Sequence, residues 1–362
     1  MRPAPAFLCN DARGVTIEQF LRREIDLGSF PSASWAVGSS RGIDQIGAIG
    51  NAVAVPMRIA ATVDTIYDCA SITKPLVTTP LALRQFSLDH EIHGYTIREL
   101  LTHTSGLRAW MPLYAYDDPI RAIIDEGPEC ERGTRVIYSD LNFILLWNAI
   151  DDFDAKARDL GALLKPPASM KPIIAATEWG QRWEMKMCAE KGVIPSERSE
   201  SRDPLKRATS AHAKGIPRLA SLARNDTFPF RETLIWGETH DGNSHHIGGG
   251  CAGNAGLFAT ATQVFEMTCT IVNDPFFADA ITNQTDGMND ARGLGWQMGT
   301  GSVATEMLSP GNFGHTGFTG TSVWVDRERD RIMVLLTNRV HPSAAPNAMQ
   351  KIRGDFHRLA IA

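Results

Sequence analysis

The apolar residues of the first fifty positions change from helical spacing to strand spacing. Residues 14–27 carry apolar side chains three and four positions apart, which predicts a short amphipathic helix. Residues 34–40 and 43–49 are two apolar-rich runs on either side of Arg41-Gly42, which predicts two strands joined by a turn. The chain is therefore expected to begin with a helix followed by a hairpin.

The pattern of residues 76–150 is mainly helical. Thr96 precedes a periodic segment over 97–102, and a threonine at this position is expected to cap the helix that follows it. Asp140 likewise precedes a predicted helix over 141–150. The middle of the chain is therefore expected to form a group of short helices.

Strand spacing returns near the C-terminal end. Residues 321–325 and 331–337 flank the charged segment 326–330, and this arrangement predicts a hairpin. A closing helix is expected over 344–360. Strands at both ends with helices between them predict an α+β fold, an α/β sandwich in which one antiparallel sheet is built from the N- and C-terminal segments and flanked by helices.

The same pattern predicts how the chain is divided. We expect a single catalytic unit over residues 1–362, in which 1–75 and 235–362 form an α/β lobe and 76–234 form an inserted helical lobe. Residues 190–228 are polar, charged and without periodicity, so we predict a surface loop insertion there. A lid over the active-site cleft is the alternative for this insertion.

Composition excludes several classes of function. The 362 residues are 43% hydrophobic with a formal charge of −5, which disfavours a nucleic-acid or anionic-membrane partner. No stretch reaches the roughly 18–20 apolar residues of a membrane span, and the first residues contain no apolar signal region. The expected location is therefore the cytoplasm. The six cysteines form no Cys-x-x-Cys pair, so no zinc or redox site is expected.

The main candidate for chemistry is the segment Ser71-Ile72-Thr73-Lys74. On a helix, a spacing of three residues places the hydroxyl and the amine on one face and within reach of each other. A serine nucleophile needs such a neighbour, because its hydroxyl attacks poorly until its proton is removed. One Ser-x-x-Lys match is weak evidence, since the motif is expected about once by chance in a chain of this size.

Three further segments strengthen the assignment. They are Tyr138-Ser139-Asp140, His315-Thr316-Gly317 and the run of residues 100–107. In this order the four segments resemble the serine β-lactamase and penicillin-binding-protein superfamily, whose Ser-x-x-Lys is a catalytic motif. The similarity is nearest to class C β-lactamases and to related esterases and amidases. It runs from about residue 30 to about residue 340.

This resemblance implies a set of catalytic roles. Ser71 would be the nucleophile of an acyl-enzyme, with Lys74 or Tyr138 as its proton acceptor; the sequence leaves this choice open. The backbone N–H groups of Ser71 and Phe318 would form the oxyanion hole. Gly317 would allow the backbone to approach this site closely.

Two residues depart from the β-lactamase pattern. Asp140 replaces the usual asparagine and cannot donate a hydrogen bond to a substrate amide, which disfavours efficient β-lactam hydrolysis. His315 replaces the usual lysine and is expected to bond either the Tyr138 oxygen or the substrate. Because a histidine is neutral part of the time near pH 7, a fixed positive charge is weakened and neutral or ester substrates are favoured.

Other candidates have structural alternatives. His103 is expected to tie a loop through hydrogen bonds, and Trp296 either lines the acyl pocket or packs in the core. Residues 38–42 match Gly-x-Ser-x-Gly, but that nucleophile motif requires a strand-to-helix turn and these residues lie between two predicted strands.

A metal site is an alternative for a cluster of possible ligands, which are His240, Asp241, His245 and His246. The surrounding segment, 236–258, resembles a part of the amidase-like branch that needs no metal, so no metal is expected. Asp241 and Asn243 are candidates to border the cleft instead.

The sequence therefore predicts a serine hydrolase without cofactor or metal, acting on a small-molecule ester or amide. A carboxylesterase on short acyl esters is the first hypothesis, and weak β-lactamase activity can accompany it. An amidase or peptidase on D-amino-acid or muramyl peptides is the second hypothesis. A non-catalytic binding protein of the same fold is the third, and the intact pair of Ser71 and Lys74 argues against it.

Overall fold

The computed structural model describes residues 14–190, 230–299, 308–344 and 348–361. The insertion predicted over 190–228 lies outside the described residues except for its first position. The α-helices are α1 (Ile17–Asp26), α2 (Thr79–Gln85), α3 (Ile97–Thr102), α4 (Pro119–Glu126), α5 (Asp140–Ala149), α6 (Phe153–Asp159), α7 (Arg182–Glu190), α8 (Gly242–His246), α9 (Ala261–Asn273) and α10 (Met349–Ile361). Among the described residues, no helix is long and apolar enough to cross a membrane.

The strands are β1 (Ser32–Ser39), β2 (Gly42–Val53), β3 (Ile59–Ala60), β4 (Tyr67–Asp68), β5 (Glu91–Ile92), β6 (Tyr95–Thr96), β7 (Leu163–Leu164), β8 (Leu257–Ala259), β9 (Gln297–Met298), β10 (Phe313–Thr316), β11 (Ser322–Asp326) and β12 (Arg331–Thr337). The main sheet has the order β3-β2-β1-β12-β11-β10-β9, and its neighbouring strands are antiparallel. Its centre joins the two ends of the chain, because Ala33 of β1 lies opposite Thr337 of β12. The predicted antiparallel sheet is confirmed.

Helices cover both faces of this sheet. Trp35 and Val37 of β1 pack in one cluster with residues of α1 and α10, whereas Ala36 faces the larger core on the other side. Every residue of β1 is buried for this reason. The larger core also contains Leu100 and Phe143 from the helical part, so the sheet and the helices share it. The predicted α+β sandwich is confirmed.

The inner end of β10 brings the sheet to the candidate site. This strand packs against the short helical turn that carries Ser71. Two hydroxyls tie the segments together, since Thr319 donates to the Asp68 carbonyl (2.7 Å) and Thr321 donates to the Cys69 carbonyl (3.0 Å). The site therefore lies where the sheet meets the helical part of the chain.

Candidate active site

Ser71 lies on a strained and irregular helical segment. A 3₁₀ turn over Ala70–Ile72 is followed by a π-helical turn over Lys74–Thr78, and regular α-helix begins only at α2. Ser71 and Lys74 thus lie on one helical segment, as their spacing requires, but the segment is irregular. Ala70 has a φ of +48°, a conformation that non-glycine residues adopt rarely and mostly where the surroundings enforce it. Here the Asp68 carboxylate holds it by accepting from the Ala70 N–H at 2.8 Å.

Lys74 is fully buried beside Ser71. Its Nζ atom lies 3.0 Å from the Ser71 Oγ atom, donates to the Asn254 carbonyl at 2.9 Å and lies 2.6 Å from an Asp140 oxygen. Burial lowers the pKa of Lys74, but the charges of Asp140 and Tyr138 outweigh this effect and raise the pKa above its ordinary value. Lys74 is therefore a cation at neutral pH and donates a proton toward Ser71.

Tyr138 stands among cationic and aromatic groups. Its ring centre lies 5.1 Å from the Lys74 Nζ atom and 5.4 Å from the Arg292 guanidinium. Both cations therefore lie beside the Tyr138 ring, whose face attracts positive charge. Within the described part of the chain Ser71 has no hydrogen bond to Tyr138, so Lys74 is the group that joins the predicted residues.

His315 is the next-to-last residue of strand β10 and lies beside Tyr138, with ring centres 5.8 Å apart. Its Nδ1 atom lies 2.8 Å from the Thr316 carbonyl, and its buried Nε2 atom has no hydrogen-bond partner among the described residues. Burial and the charges of Lys74 and Arg292 lower the pKa of His315 well below its usual range. The ring is therefore neutral, and the alternative in which it bonds the Tyr138 oxygen is not observed.

Two backbone donors face no partner near the nucleophile. The N–H groups of Ser71 and Phe318 make no hydrogen bond within the described ranges, as an oxyanion hole requires. Gly317 permits their approach, because a Cβ atom there would lie 2.5 Å from the Cys69 carbonyl oxygen and 2.1 Å from the Thr321 hydroxyl. Gly317 also lines the cleft, as its predicted role in substrate binding requires.

A cleft of about 560 Å³ contains Ser71, Tyr138, Asp140 and His315. Its other walls include three arginines that the sequence did not indicate as site residues: Arg292, Arg339 and Arg353. They lie on separate segments without a motif of their own, so only the folded chain brings them together.

Arg292 and Arg353 are the buried members of this set, and Arg353 has no carboxylate partner among the residues that the structure describes. Its guanidinium donates to the carbonyls of Gly317 (2.6 Å) and Thr321 (3.0 Å), and its Nε atom has no partner among the described residues. Burial, followed by the charge of Arg339, lowers the pKa of Arg353 to about 9. Arg292, by contrast, is paired with Asp290 at 2.6 Å. The cleft is therefore electropositive despite the neutral His315.

A second pocket of about 190 Å³ adjoins the other side of Ser71. It shares Ser71, Asp140 and Phe318 with the cleft. Asp241 lines it, in agreement with the expectation that this residue borders the site. Asn243 is buried and lines neither space; its side chain bonds the backbone of Met111 and Leu113.

Core packing and hydrogen bonds within the protein account for the remaining candidates, which are Trp296, His103 and His240. Trp296 is fully buried in the core, with its ring 5.1 Å from that of Phe313, and lines neither space, so its predicted contact with substrate is corrected. His103 accepts from the Ser139 N–H at 3.0 Å and ties its loop as expected. His240 pairs with the buried Glu178 at 3.1 Å.

The serine in the Gly-x-Ser-x-Gly match lies between β1 and β2. This is a hairpin connection and not a strand-to-helix turn, as the sequence indicated. Its hydroxyl bonds Asp330, the residue just before β12, so the match has a structural role in joining neighbouring strands.

A family model and an individual relative both match this chain over most of its length. The family model described as Beta-lactamase matches residues 17–151 and 199–354. A protein of Escherichia coli named putative D-alanyl-D-alanine carboxypeptidase is 23% identical, over 91% of this chain and 83% of its own length.

Solved structures show the same fold at low sequence identity. One described as a class C beta-lactamase has a TM-score of 0.62 at 15% identity, covering 97% of this chain and 98% of that one. EstCE1, described as a hydrolase with promiscuous acyltransferase activity, has a TM-score of 0.62 at 15% identity, covering 95% and 96%.

Proposed function

The chain belongs to the Beta-lactamase family of serine hydrolases, and from this premise we propose that it forms an acyl-enzyme on Ser71. One observation carries the proposal: the Lys74 ammonium lies 3.0 Å from the Ser71 hydroxyl, at the junction of two spaces that can hold a substrate. The N–H groups of Ser71 and Phe318, which have no partner in the described part of the chain, support it, because they are suited to stabilise the oxyanion of a tetrahedral intermediate.

We assign the base to Tyr138, because the pKa of Lys74 is raised and its amine is already protonated. Tyr138, reacting as its phenolate, would take the hydroxyl proton as Ser71 attacks the carbonyl carbon, and Lys74 would stabilise the resulting charges. When the intermediate collapses, Tyr138 would return that proton to the leaving group. Water would then lose a proton to Tyr138 and attack the acyl carbon. The bond from that carbon to the Ser71 oxygen would break, and Tyr138 would return the proton to Ser71.

Ester hydrolysis is the first candidate activity. Asp140 lines both spaces, and its carboxylate, already paired with Lys74, has no donor for a substrate amide. The second pocket is small, at about 190 Å³, which favours a short acyl group. These two features support a carboxylesterase acting on short acyl esters.

A carboxypeptidase-like amidase is the second candidate, and the arginines favour it. Arg292, Arg339 and Arg353 line the cleft, and guanidinium groups are well suited to bind a carboxylate. A leaving group that ends in a carboxylate, such as a terminal amino acid, would match this charge. The name of the Escherichia coli relative is consistent with this candidate.

The proposal is tested by turnover of p-nitrophenyl acetate and butyrate beside that of an N-acetylated peptide ending in D-Ala-D-Ala. Release of p-nitrophenol alone assigns the esterase, and release of D-alanine assigns the carboxypeptidase. In both cases Ser71→Ala should abolish turnover and labelling by a fluorophosphonate. Tyr138→Phe should lower kcat by about 10²–10⁴-fold, the usual contribution of a general base.

Tyr116→Phe is the matched control, because this tyrosine is partly buried and lines neither space. Its kcat should equal that of the unmodified protein. Turnover that survives Ser71→Ala would refute the mechanism. Absence of both turnover and fluorophosphonate labelling in the unmodified protein would favour the binding-protein alternative.

A further inference from the structure

In the proposed mechanism the cleft and the second pocket hold different parts of the substrate, and the assignment of these parts rests on that proposed function. Tyr138 lines the large cleft but not the second pocket. The group that returns a proton must reach the leaving atom. The leaving group therefore belongs in the cleft, and the acyl group belongs in the second pocket, named the acyl pocket from here on.

The acyl pocket has apolar walls with carboxylates among them. Trp110, Trp183, Met187 and Phe318 supply aromatic rings and a thioether. Asp140, Glu184 and Asp241 supply the carboxylates, and neither lysine nor arginine lines the pocket within the described ranges. His240 lines the pocket as well, and Asp140 also lines the cleft and is paired with Lys74, so Glu184 and Asp241 are the acidic side chains that line the acyl pocket alone.

Two of the three carboxylates are occupied by the protein itself. Asp140 is paired with Lys74, and Glu184 accepts from the Tyr114 hydroxyl (2.8 Å) and the Gly242 N–H (2.6 Å). Burial, followed by the charge of Asp241, raises the pKa of Glu184. These carboxylates are therefore crowded, and a cation between them would relieve their repulsion.

Asp241 is the carboxylate with unused acceptor capacity. Its Oδ1 atom accepts from the Ser244 N–H (2.7 Å) and the Asn254 amide (3.1 Å), which fixes the side chain. Its Oδ2 atom has no hydrogen bond or ion pair within the part of the chain that the structure describes. Arg231 lies close enough to interact electrostatically, but it lines neither space, and its Nη atoms donate to the carbonyls of Thr239 and His240.

We propose that the acyl pocket takes a short acyl group bearing an ammonium, an aminoacyl group with a free amine, and that Asp241 is its counter-ion. The aromatic walls suit such a group too, since ring faces attract cations. The pocket volume of about 190 Å³ suits a small side chain beside the ammonium. The substrate class is therefore an aminoacyl ester or amide with an unblocked amine.

The test compares alanine benzyl ester with its N-acetyl derivative and with benzyl isobutyrate, which replaces the ammonium by a methyl group. Both enantiomers of the alanine compounds are used, and benzyl alcohol is quantified by chromatography. At pH 6.5 the better alanine enantiomer should have a kcat/KM at least about tenfold above benzyl isobutyrate, corresponding to about 1.4 kcal/mol. Asp241→Asn should reduce this ratio at least about tenfold, chiefly through KM for the alanine ester.

Asparagine is a suitable replacement, because it retains the acceptor at Oδ1 and caps helices about as well as aspartate. Glu238→Gln is the control, since it removes a nearby carboxylate that does not line the pocket and should preserve the ratio. Ser71-dependent turnover without preference for the ammonium would overturn this inference while leaving the proposed function intact. A preference that persists in Asp241→Asn would overturn the role of Asp241. Turnover that is independent of Ser71 would overturn both proposals.

Discussion

Asp140 sets the charge of the amine beside the nucleophile. Its oxygen lies 2.6 Å from the Lys74 Nζ atom, and this carboxylate keeps the pKa of Lys74 raised in spite of complete burial. Burial also raises the pKa of Asp140, although Lys74 opposes the rise. Lys74 therefore keeps its proton at neutral pH, and its ammonium serves as a donor.

Asp140→Asn tests this charge assignment. Without the carboxylate, burial dominates and the pKa of Lys74 falls, so the amine loses its proton at lower pH. Because the proposed mechanism needs a protonated Lys74, the alkaline limb of the kcat/KM profile should move to lower pH in the variant. The profile is measured with p-nitrophenyl acetate, corrected for spontaneous hydrolysis.

Asp154→Asn is a suitable comparison, since it removes an exposed ion pair with Lys165 outside both spaces. Its alkaline limb should match that of the unmodified protein. An unshifted limb in Asp140→Asn would mean that Lys74 is not the group whose protonation controls the rate.

At the residue scale, a sequence predicts the contact between two side chains when both belong to one short motif. The spacing of Ser71 and Lys74 indicates their contact, and the contact is observed at 3.0 Å. Arg339 and Arg353 were missed, because each is an isolated arginine whose position depends on how distant strands and a helix pack. Trp296 was ambiguous for a related reason, since a large apolar residue suits a pocket wall and a core equally well.

At the element scale, the junction between β10 and the Ser71 turn fixes the oxyanion donors. Gly317→Ala would place a Cβ atom 2.5 Å from the Cys69 carbonyl, which is backbone and cannot move without shifting Ser71. We expect a loss of about 1–3 kcal/mol in the free energy of unfolding from overpacking. We also expect kcat to fall about 10²–10³-fold, as when an oxyanion donor is displaced.

Urea unfolding and esterase kinetics measure the two effects. Gly287→Ala is the comparison, because its φ of +78° strains a side chain while no atom lies within 4 Å of the added Cβ. That variant should lose stability but keep its kcat. If Gly317→Ala retained full kcat, the proposed position of the Phe318 donor would be wrong.

Elements with local signals were predicted well. Thr96 caps α3 with a reciprocal hydrogen bond to Glu99, and the charged turn before Arg331 joins β11 to β12 as expected. The π-helical turn over Lys74–Thr78 was not predicted, because apolar periodicity does not distinguish it from an α-helix over so few residues. Its geometry is fixed by tertiary contacts such as the hydrogen bond from Thr78 to the Gly253 carbonyl.

At the scale of the whole molecule, a buried neutral histidine makes stability depend on pH. His357 is a fully buried residue of α10 that contacts Ser322 of the sheet, and burial, followed by the charge of Arg353, lowers its pKa to about 3. In the unfolded chain a histidine has a pKa of about 6.5. The neutral ring therefore stabilises the fold fully above pH 6.5, and this contribution is lost as the pH falls toward 3.

Between pH 7 and pH 5 this one histidine should cost about 2 kcal/mol of unfolding free energy. His357→Gln should be less stable at pH 7, because the bond to the Ser322 hydroxyl is disturbed, but should lose about 2 kcal/mol less over this interval. Urea titrations at both pH values measure the difference. The exposed His90→Gln should leave the pH dependence unchanged, and an equal slope in all three proteins would contradict the assignment to His357.

Because β1 pairs with β12, the main sheet cannot be completed early in the synthesis of the chain. Ala33 cannot pair with Thr337 until the ribosome has synthesised the residues between them, which takes on the order of 15–60 s at common elongation rates. During this interval the apolar side chains of β1, such as Trp35 and Val37, lack their final neighbour and are prone to aggregate. The yield of active enzyme should therefore depend on translation speed and on chaperone supply.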